Sequence, residues 1–378
     1  MTQAMWRSPL LPFQSNPPTS QSKGDVHPIG SGERFKVDLL NYLGAYGKRL
    51  NELTRQLVNY DFSTIHAAFL GSAPSRQKPN DARPLNRTSF GWLGLKEILS
   101  TIPIQPNARS SRSNIVVQVS SIATLGQTPA WLNHLQSVLS RTNPNEVVQT
   151  RPSSFKEDPV SQPTSNSLEP TLNVIFPTAS EIRTSLDGYA SGGSIHTKIQ
   201  SAAQKKQLEY LKPLFCHWKY SLPETEAVPR RSAYRGPAAP HIKTYIRFSN
   251  TERQTIDWAM VTSANLSKQA WGDLENKKGE IWIQSWETGI VVWPDLFSSG
   301  GNSVMVPMFG KDMPGAKEGN AVKGRGMHGR ERGGEGTTII GFRMPYDLPL
   351  SPYGADEVPW CATMAHEEPD WAGRTWVV

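Results

Sequence analysis

Residues 241–293 read strand, strand, helix, strand, strand, the densest run of ordered structure in the sequence. Three further segments, 65–70, 115–119 and 172–176, are short apolar or β-branched runs of the kind that form buried strands. Segments of helical spacing lie between them. Phe35, Leu39, Tyr42, Leu43 and Tyr46 fall on one face, behind Ser31 as N-cap. Helices are also expected over 48–59, 92–99 and 131–139, and 208–218 has helical spacing with a break at Pro213. Strands that alternate with helices indicate an α/β architecture.

A chain of 378 residues has room for two domains, and a hydrophobic fraction of 37% allows each a core. The expected division is 1–80 and 81–378, with a polar linker over 72–87. The 30 prolines and 30 glycines call for long loops. Two are expected as insertions: 143–170, dense in Pro, Ser, Asn and Gln, and 298–338, Gly-rich and basic. Lys323, Arg325, Arg330 and Arg332 in the second read as a solvated loop. The tail, 339–378, carries prolines among aromatics and is expected to pack over a surface rather than to join a sheet. Cys216 and Cys361 are the two cysteines, which excludes a disulfide framework, nearly excludes a thiolate zinc site and suits a reducing compartment. No apolar run approaches the ~18 residues of a membrane span, and residues 1–11 do not form a secretory signal. The net charge of +7 favours an anionic partner such as nucleic acid; solubility charge accounts for it equally well.

The chemistry concentrates in two segments. In Pro240-His241-Ile242-Lys243-Thr244-Tyr245-Ile246-Arg247-Phe248, a strand would place His241, Lys243 and Tyr245 on one face, with Ile242, Thr244 and Ile246 toward the core. An imidazole moves a proton near neutral pH, and an ammonium beside it neutralises a phosphate oxygen as charge builds. Residues 258–272 then read as an apolar strand, a small-residue turn and a helix, with Ser263 and Asn265 where backbone and side-chain donors meet an anion. A bare His-x-Lys is weak evidence, since His196-Thr197-Lys198 in a Gly/Ser loop also matches and reads as chance. Cys216 and His217 read as neighbours on a helix that point apart. Trp258, Trp271, Trp282 and Trp293 read as core rather than as stacking platforms for bases.

The pattern PHIKTY followed by VTSANLSKQAWG resembles the second catalytic motif of the tyrosyl-DNA phosphodiesterase family, in the phospholipase D superfamily. TQAMWRSPL (2–10), FKVDLLNYLGAY (35–46), VQVSSIATLG (117–126), RTSLDGYASGGS (183–194) and MPYDLPLSPYG (344–354) resemble the same family in the same order. The resemblance implies two pseudo-symmetric α-β-α sandwich domains of phospholipase-D type, the first incomplete here, with the site between them. It implies a DNA-repair hydrolase that cleaves 3′-phosphotyrosyl bonds through a phosphohistidine, without a metal or other cofactor. The implied partners are single- or double-stranded DNA 3′ ends and a topoisomerase I-derived tyrosyl peptide adduct, the implied residence is nuclear, and no membrane is involved. By position His241 is the acid/base histidine, and Lys243 and Asn265 bind phosphate with it. Glu287 and Gln3 match residues that orient active-site histidines. Ser120, Ser121 and Thr124 match a segment that contacts the DNA backbone, and Ser191 and Ser194 a loop near the site.

In the family the first His-x-Lys lies shortly before the segment that TQAMW resembles. The expectation is that this chain carries the second half-site alone and turns over a 3′-phosphotyrosyl oligonucleotide at most in traces. The alternatives are an inactive relative that holds DNA 3′ ends, or a fragment. A lipid-acting member is disfavoured, because Phe248 stands where such enzymes place an aspartate.

Overall fold

The computed structural model describes residues 1–15, 26–79, 88–104, 112–143, 169–219, 229–298, 302–315 and 337–378. The first helix, α1 (Gly32–Gly44), starts at Ser31, whose side chain accepts from Arg34 N as the sequence predicts. A 3₁₀ turn and α2 (Asn51–Leu57) follow, then β1 (Ala68–Ser72), β2 (Ser75–Gln77), α3 (Gly91–Leu99), β3 (Asn114–Gln118), α4 (Ala130–Leu139) and β4 (Thr171–Ile175). Next come α5 (Ala179–Arg183), a 3₁₀ segment (Gly188–Ser194), α6 (Ala202–Leu211), β5 (Phe215–Cys216), β6 (Thr244–Phe248), β7 (Ile256–Thr262), α7 (Lys268–Trp271), β8 (Ile281–Ile283) and β9 (Glu287–Val292). The last strands are β10 (Ser303–Met308) and β11 (Thr338–Arg343).

Among the described residues nine strands form one mixed sheet, ordered β1-β9-β7-β6-β3-β4-β5, with β10 joined to β7 and β11 to β10. Its inner strands are apolar on both faces, and each face is covered. One core holds Ile115, Val117, Tyr245, Trp258 and Met260 against Trp92, Leu95, Trp131 and Leu135 of α3 and α4. The other holds Val116, Ile175, Ile246 and Phe248 with Phe35 and Tyr42 of α1 and with Met344, Tyr346 and Leu348 of the tail. This is the expected α/β class.

β1, before the expected boundary at residue 80, pairs antiparallel with β9 beyond it, Ala68 opposite Val291. Several expectations are corrected. Gly71 sits inside β1 rather than ending the strand. Residues 215–218 do not continue the helix; after Pro213 the chain enters β5, beside β4, so Cys216 and His217 alternate across a strand end. Within the predicted surface insertion at 298–338, Ser303–Met308 is a wholly buried strand, because Val304, Met305, Val306 and Met308 supply enough apolar surface to enter the sheet. Lys323, Arg325, Arg330 and Arg332 lie outside the described residues, as do 144–168 within the other insertion. The tail does pack over the surface as expected, except that β11 adds a parallel strand to β10.

His217, at the end of β5, is buried between two carboxylates. Its Nε2 lies 3.0 Å from Glu357 Oε2 in the tail, and its Nδ1 stands 3.1 Å from Glu181 Oε2 of α5. Burial alone lowers the pKa, but the hydrogen bonds and charges of Glu181 and Glu357 outweigh it and leave His217 above its ordinary value. A folded pKa above the unfolded one gives stability that is full below the unfolded value, about 6.5, and is lost as pH rises through the folded value. Urea denaturation of the unmodified chain and of His217→Gln should therefore show their difference in stability shrinking with rising pH above 6.5. A difference that stays constant or grows counts against the clamp.

Candidate active site

The antiparallel arrangement of β3, β6, β7 and β9 brings four strand ends to one edge of the sheet. There the chain leaves β3 into Ser120-Ser121, enters β6 through His241 and Lys243, leaves β7 into Ser263 and Asn265, and enters β9 at Glu287. The pairing reaches beyond the strands proper, since Thr262 N donates to Lys243 O at 3.2 Å. Gly289 lets β9 approach β7 closely, as a Cβ there would stand 2.7 Å from Thr262 Cβ.

His241 is held from both sides of its chain. Thr2 N donates to Ala239 O and His241 N to Thr2 O, both at 3.0 Å, so residues 1–3 lie alongside 239–241 as a short parallel bridge. Gln3 Nε2 consequently reaches His241 Nδ1 at 2.8 Å. With the amide donating, Nδ1 accepts and the ring proton sits on Nε2. Lys243 Nζ stands 3.3 Å from each ring nitrogen and donates to the His241 carbonyl at 2.7 Å. Burial, then the charges of Lys243 and His196, hold His241 below the ordinary imidazole range. Burial lowers Lys243 to about 8, against the opposing pull of Glu287. Burial also raises Glu287, while Ser263 and Lys243 pull it back.

The expected roles divide as follows. Gln3 makes a hydrogen bond to His241, while Glu287 accepts from Ser263 Oγ at 2.5 Å and makes no hydrogen bond to His241. Asn265 spends its carbonyl oxygen on the fold: Oδ1 accepts from Ser120 N at 3.1 Å, Ser121 N at 2.9 Å and Ser120 Oγ at 3.3 Å. Its amide nitrogen makes no hydrogen bond among the described residues. The turn that carries Asn265 is pinned from below, where Trp271 Nε1 donates to Asn265 O at 3.0 Å and Tyr245 OH to Ala264 O at 3.3 Å. Tyr245 therefore supports the site from the core instead of facing the cavity beside His241 and Lys243.

The serines do not form one face. Ser120 is buried against Asn265, and Ser191 is buried with its hydroxyl donating to Gly188 O at 2.8 Å, so neither is placed to touch a ligand. Ser121 and Ser194 are half-buried and Thr124 is exposed. Trp258, Trp271 and Trp293 are core residues as expected, whereas Trp282 is exposed beneath the Arg76 guanidinium. Sequence reasoning missed Tyr245 and Trp271 as props of the Asn265 turn; their spacing inside a strand and a helix gave no sign of the hydrogen bonds they make.

His241, Lys243, Ser263, Thr288 and Gln3 open on a cavity of about 570 Å³ whose far wall is apolar, formed by Trp6, Leu11, Phe35, Leu39 and Phe62. Among the described residues no three His, Cys, Asp or Glu side chains are grouped so as to hold a metal.

Truncating Asn265 would leave two backbone N–H groups without their acceptor. Asn265→Ala should therefore destabilise the chain by about 1–3 kcal/mol in chemical denaturation, as orphaned donors do. A loss below a few tenths of a kcal/mol would mean that the Ser120–Ser121 segment holds itself.

A protein-family model described as tyrosyl-DNA phosphodiesterase matches residues 1–354. The chain is 29% identical over 372 residues to a probable tyrosyl-DNA phosphodiesterase of Schizosaccharomyces pombe, covering 94% of this chain and 59% of that protein. It is 29% identical over 373 residues to tyrosyl-DNA phosphodiesterase 1 of Drosophila melanogaster, covering 95% of this chain and 51% of that one. The crystal structure of the yeast tyrosyl-DNA phosphodiesterase superposes with a TM-score of 0.54 at 18% identity, over 94% of this chain and 68% of that one, a likeness of fold. The chain thus spans between half and three-fifths of the length of these curated relatives.

Proposed function

The chain belongs to the tyrosyl-DNA phosphodiesterase family, and on that premise we propose that His241, Lys243 and Asn265 form the acid/base half-site of a DNA-repair phosphodiesterase that hydrolyses 3′-phosphotyrosyl and related 3′-adduct bonds through a phosphohistidine intermediate. The observation that carries the reading is the pairing of His241 with two different partners. Gln3 fixes the Nδ1 side of the ring, and the Lys243 ammonium stands 3.3 Å from both nitrogens at the mouth of the cavity. An anion drawn to Lys243 meets the imidazole at the same place.

The chemistry follows from the charges. In the free protein burial and Lys243 bias His241 toward the neutral ring. A bound phosphodiester brings negative charge and draws the ring back toward the imidazolium. His241 is then protonated when substrate is present, and the Gln3 amide turns over to accept Nδ1–H through its oxygen. As the nucleophilic histidine of a first His-x-Lys half-site, outside residues 1–378, bonds to phosphorus, the tyrosyl P–O bond breaks and Nε2–H passes to the departing phenolate. The neutral ring left behind takes a proton from the water that releases the 3′-phosphate. Lys243, with two ammonium protons beyond the one given to the His241 carbonyl, neutralises a non-bridging oxygen, and the unpartnered amide nitrogen of Asn265 supplies a further donor. Glu287, bonded to Ser263, sets the charge around Lys243 without touching the ring. The aromatic wall of Trp6, Phe35 and Phe62 suits an aromatic leaving group.

The partners that go with this reading are DNA 3′ ends and a tyrosyl peptide left by topoisomerase I, and the residence is the nucleus. The test compares two single-stranded oligonucleotides of one sequence, ending in 3′-phosphate or 3′-hydroxyl. The phosphate-ended strand should bind more tightly, and Asn265→Ala should narrow the gap. Equal affinity for both strands sinks the reading. Whatever trace of tyrosine the unmodified chain releases from a 3′-phosphotyrosyl strand should disappear in His241→Ala; release above background that persists in the variant sinks the acid/base role.

A further inference from the structure

The second His-x-Lys of the sequence, His196-Thr197-Lys198, reads as chance from its loop context, yet the fold carries it to the rim of the site. The backbone of His196 is laced to the serine segment from both directions: its N–H donates to Ser120 O at 2.9 Å, and its carbonyl accepts from Ile122 N at 2.8 Å. On the far side the same segment bridges Leu266 through Ile122 and gives Ser120 N and Ser121 N to Asn265. His196 and Asn265 therefore flank one extended segment, roughly 10 Å apart by two strand spacings.

The triplet is anchored from beneath. Thr197 is buried, and its carbonyl accepts from the Cys361 thiol at 3.4 Å. His196 and Lys198 on either side of it are exposed, so alternation turns both outward on the same side. Neither side chain makes a hydrogen bond or ion pair among the described residues. The charge of His196 is felt at His241, where it adds to burial and to Lys243 in disfavouring the imidazolium. Glu287, the carboxylate whose charge reaches Lys243, accepts from Ser263. Lys198 and Lys243, with the imidazoles of His196 and His241, thus gather at this rim, and basic groups so placed are the electrostatic footprint of a site for more than one phosphate.

We propose that His196 and Lys198 form a second phosphate subsite, which holds a backbone phosphodiester of the strand whose 3′-terminal phosphate lies at His241 and Lys243. The inference rests on the proposed action at DNA 3′ ends and adds to it a residue pair that fixes the direction in which the strand leaves the site.

The test measures binding of a 3′-phosphorylated single-stranded hexanucleotide, by fluorescence anisotropy over a range of salt, to the unmodified chain, to the double variant His196→Ala/Lys198→Ala and to Lys243→Ala. A deoxynucleoside 3′-monophosphate, which carries the terminal phosphate alone, is measured in parallel by displacement. The double variant should bind the hexanucleotide about tenfold more weakly, and its salt slope should fall by ~0.7 for the lost lysine contact. Its affinity for the mononucleotide should be unchanged, which also reports that the terminal site is still folded. Lys243→Ala should weaken both ligands. Unchanged hexanucleotide binding in the double variant, with Lys243→Ala weakened, overturns the subsite and leaves the function reading standing. So does an equal loss on both ligands. If the unmodified chain does not bind the hexanucleotide, the function reading falls and the subsite with it.

Discussion

At pH 7 the Lys243→Ala variant is expected to bind a 3′-phosphorylated oligonucleotide about 1.5–3 kcal/mol more weakly than the unmodified chain, or roughly 10- to 150-fold, the range for a hydrogen bond to a charged group. The size of the effect comes from burial. Lys243 is 7% exposed, so water does little to screen it, and the ammonium has been desolvated in advance of the ligand. The same burial gives the effect a pH signature. With the free amine at about 8, the charged fraction is nearly complete at pH 7 and about a tenth at pH 9, so affinity should fall about tenfold across that window. The sign is fixed: a group whose pKa is lowered loses its charge earlier on the alkaline side, and an anion that needs the charge is lost with it. Lys243→Ala should show no such fall between pH 7 and pH 9. An affinity for the unmodified chain that is flat to pH 9 would place the phosphate elsewhere.

Much of the site was legible in the sequence because its parts are local. His241 and Lys243 are two residues apart on a segment whose β-branched residues announce a strand, and Ser263 and Asn265 close the next strand at a turn of small residues. Helices with a clear apolar stripe, such as α1 and α4, also fell where their spacing placed them. What stayed hidden depends on partners far away in the chain. The resemblance points to Gln3, but no periodicity encodes the bridge that lays residues 1–3 against 239–241 and brings Gln3 to His241. Ser120 and Ser191 look like surface residues by type, but Asn265 and Gly188 take up their hydrogen bonds and bury them. The Gly/Ser context of His196 reads as a chance match, though a loop laced into extended chain on one side is held as a strand is. Glycine and charge around 303–308 masked a six-residue apolar strand, which composition averaged over a longer window cannot reveal.

The same limit explains the largest effect expected on stability, at Asp257, where nothing in the sequence marks the residue as special. The pairing of β6 with β7 slips between Arg247 and Phe248: Arg247 faces Trp258 and Phe248 faces Ile256, so Asp257 is an extra residue in a β-bulge. The bulge lets Ile256 join one core and Trp258 the other, and it turns Asp257 onto Arg247. Arg247 Nε donates to Asp257 Oδ2 at 3.1 Å, Ser249 Oγ to Oδ1 at 2.6 Å, and the guanidinium also donates to Ser140 O at 2.9 Å. The carboxylate is wholly buried, and burial raises its pKa against the pull of Arg247 and Ser249. Removing it strands a cation in the core, so Asp257→Ala should cost about 3–5 kcal/mol in urea denaturation. Much of that cost belongs to the abandoned guanidinium rather than to the bond. The double variant Asp257→Ala/Arg247→Met should therefore recover most of the lost stability, since an apolar chain of similar length needs no counter-charge. A single variant that loses less than about 1 kcal/mol, within the range of a solvated surface pair, would mean that water reaches Arg247. A double variant no more stable than the single one would mean that the bulge itself, and not the stranded charge, sets the cost.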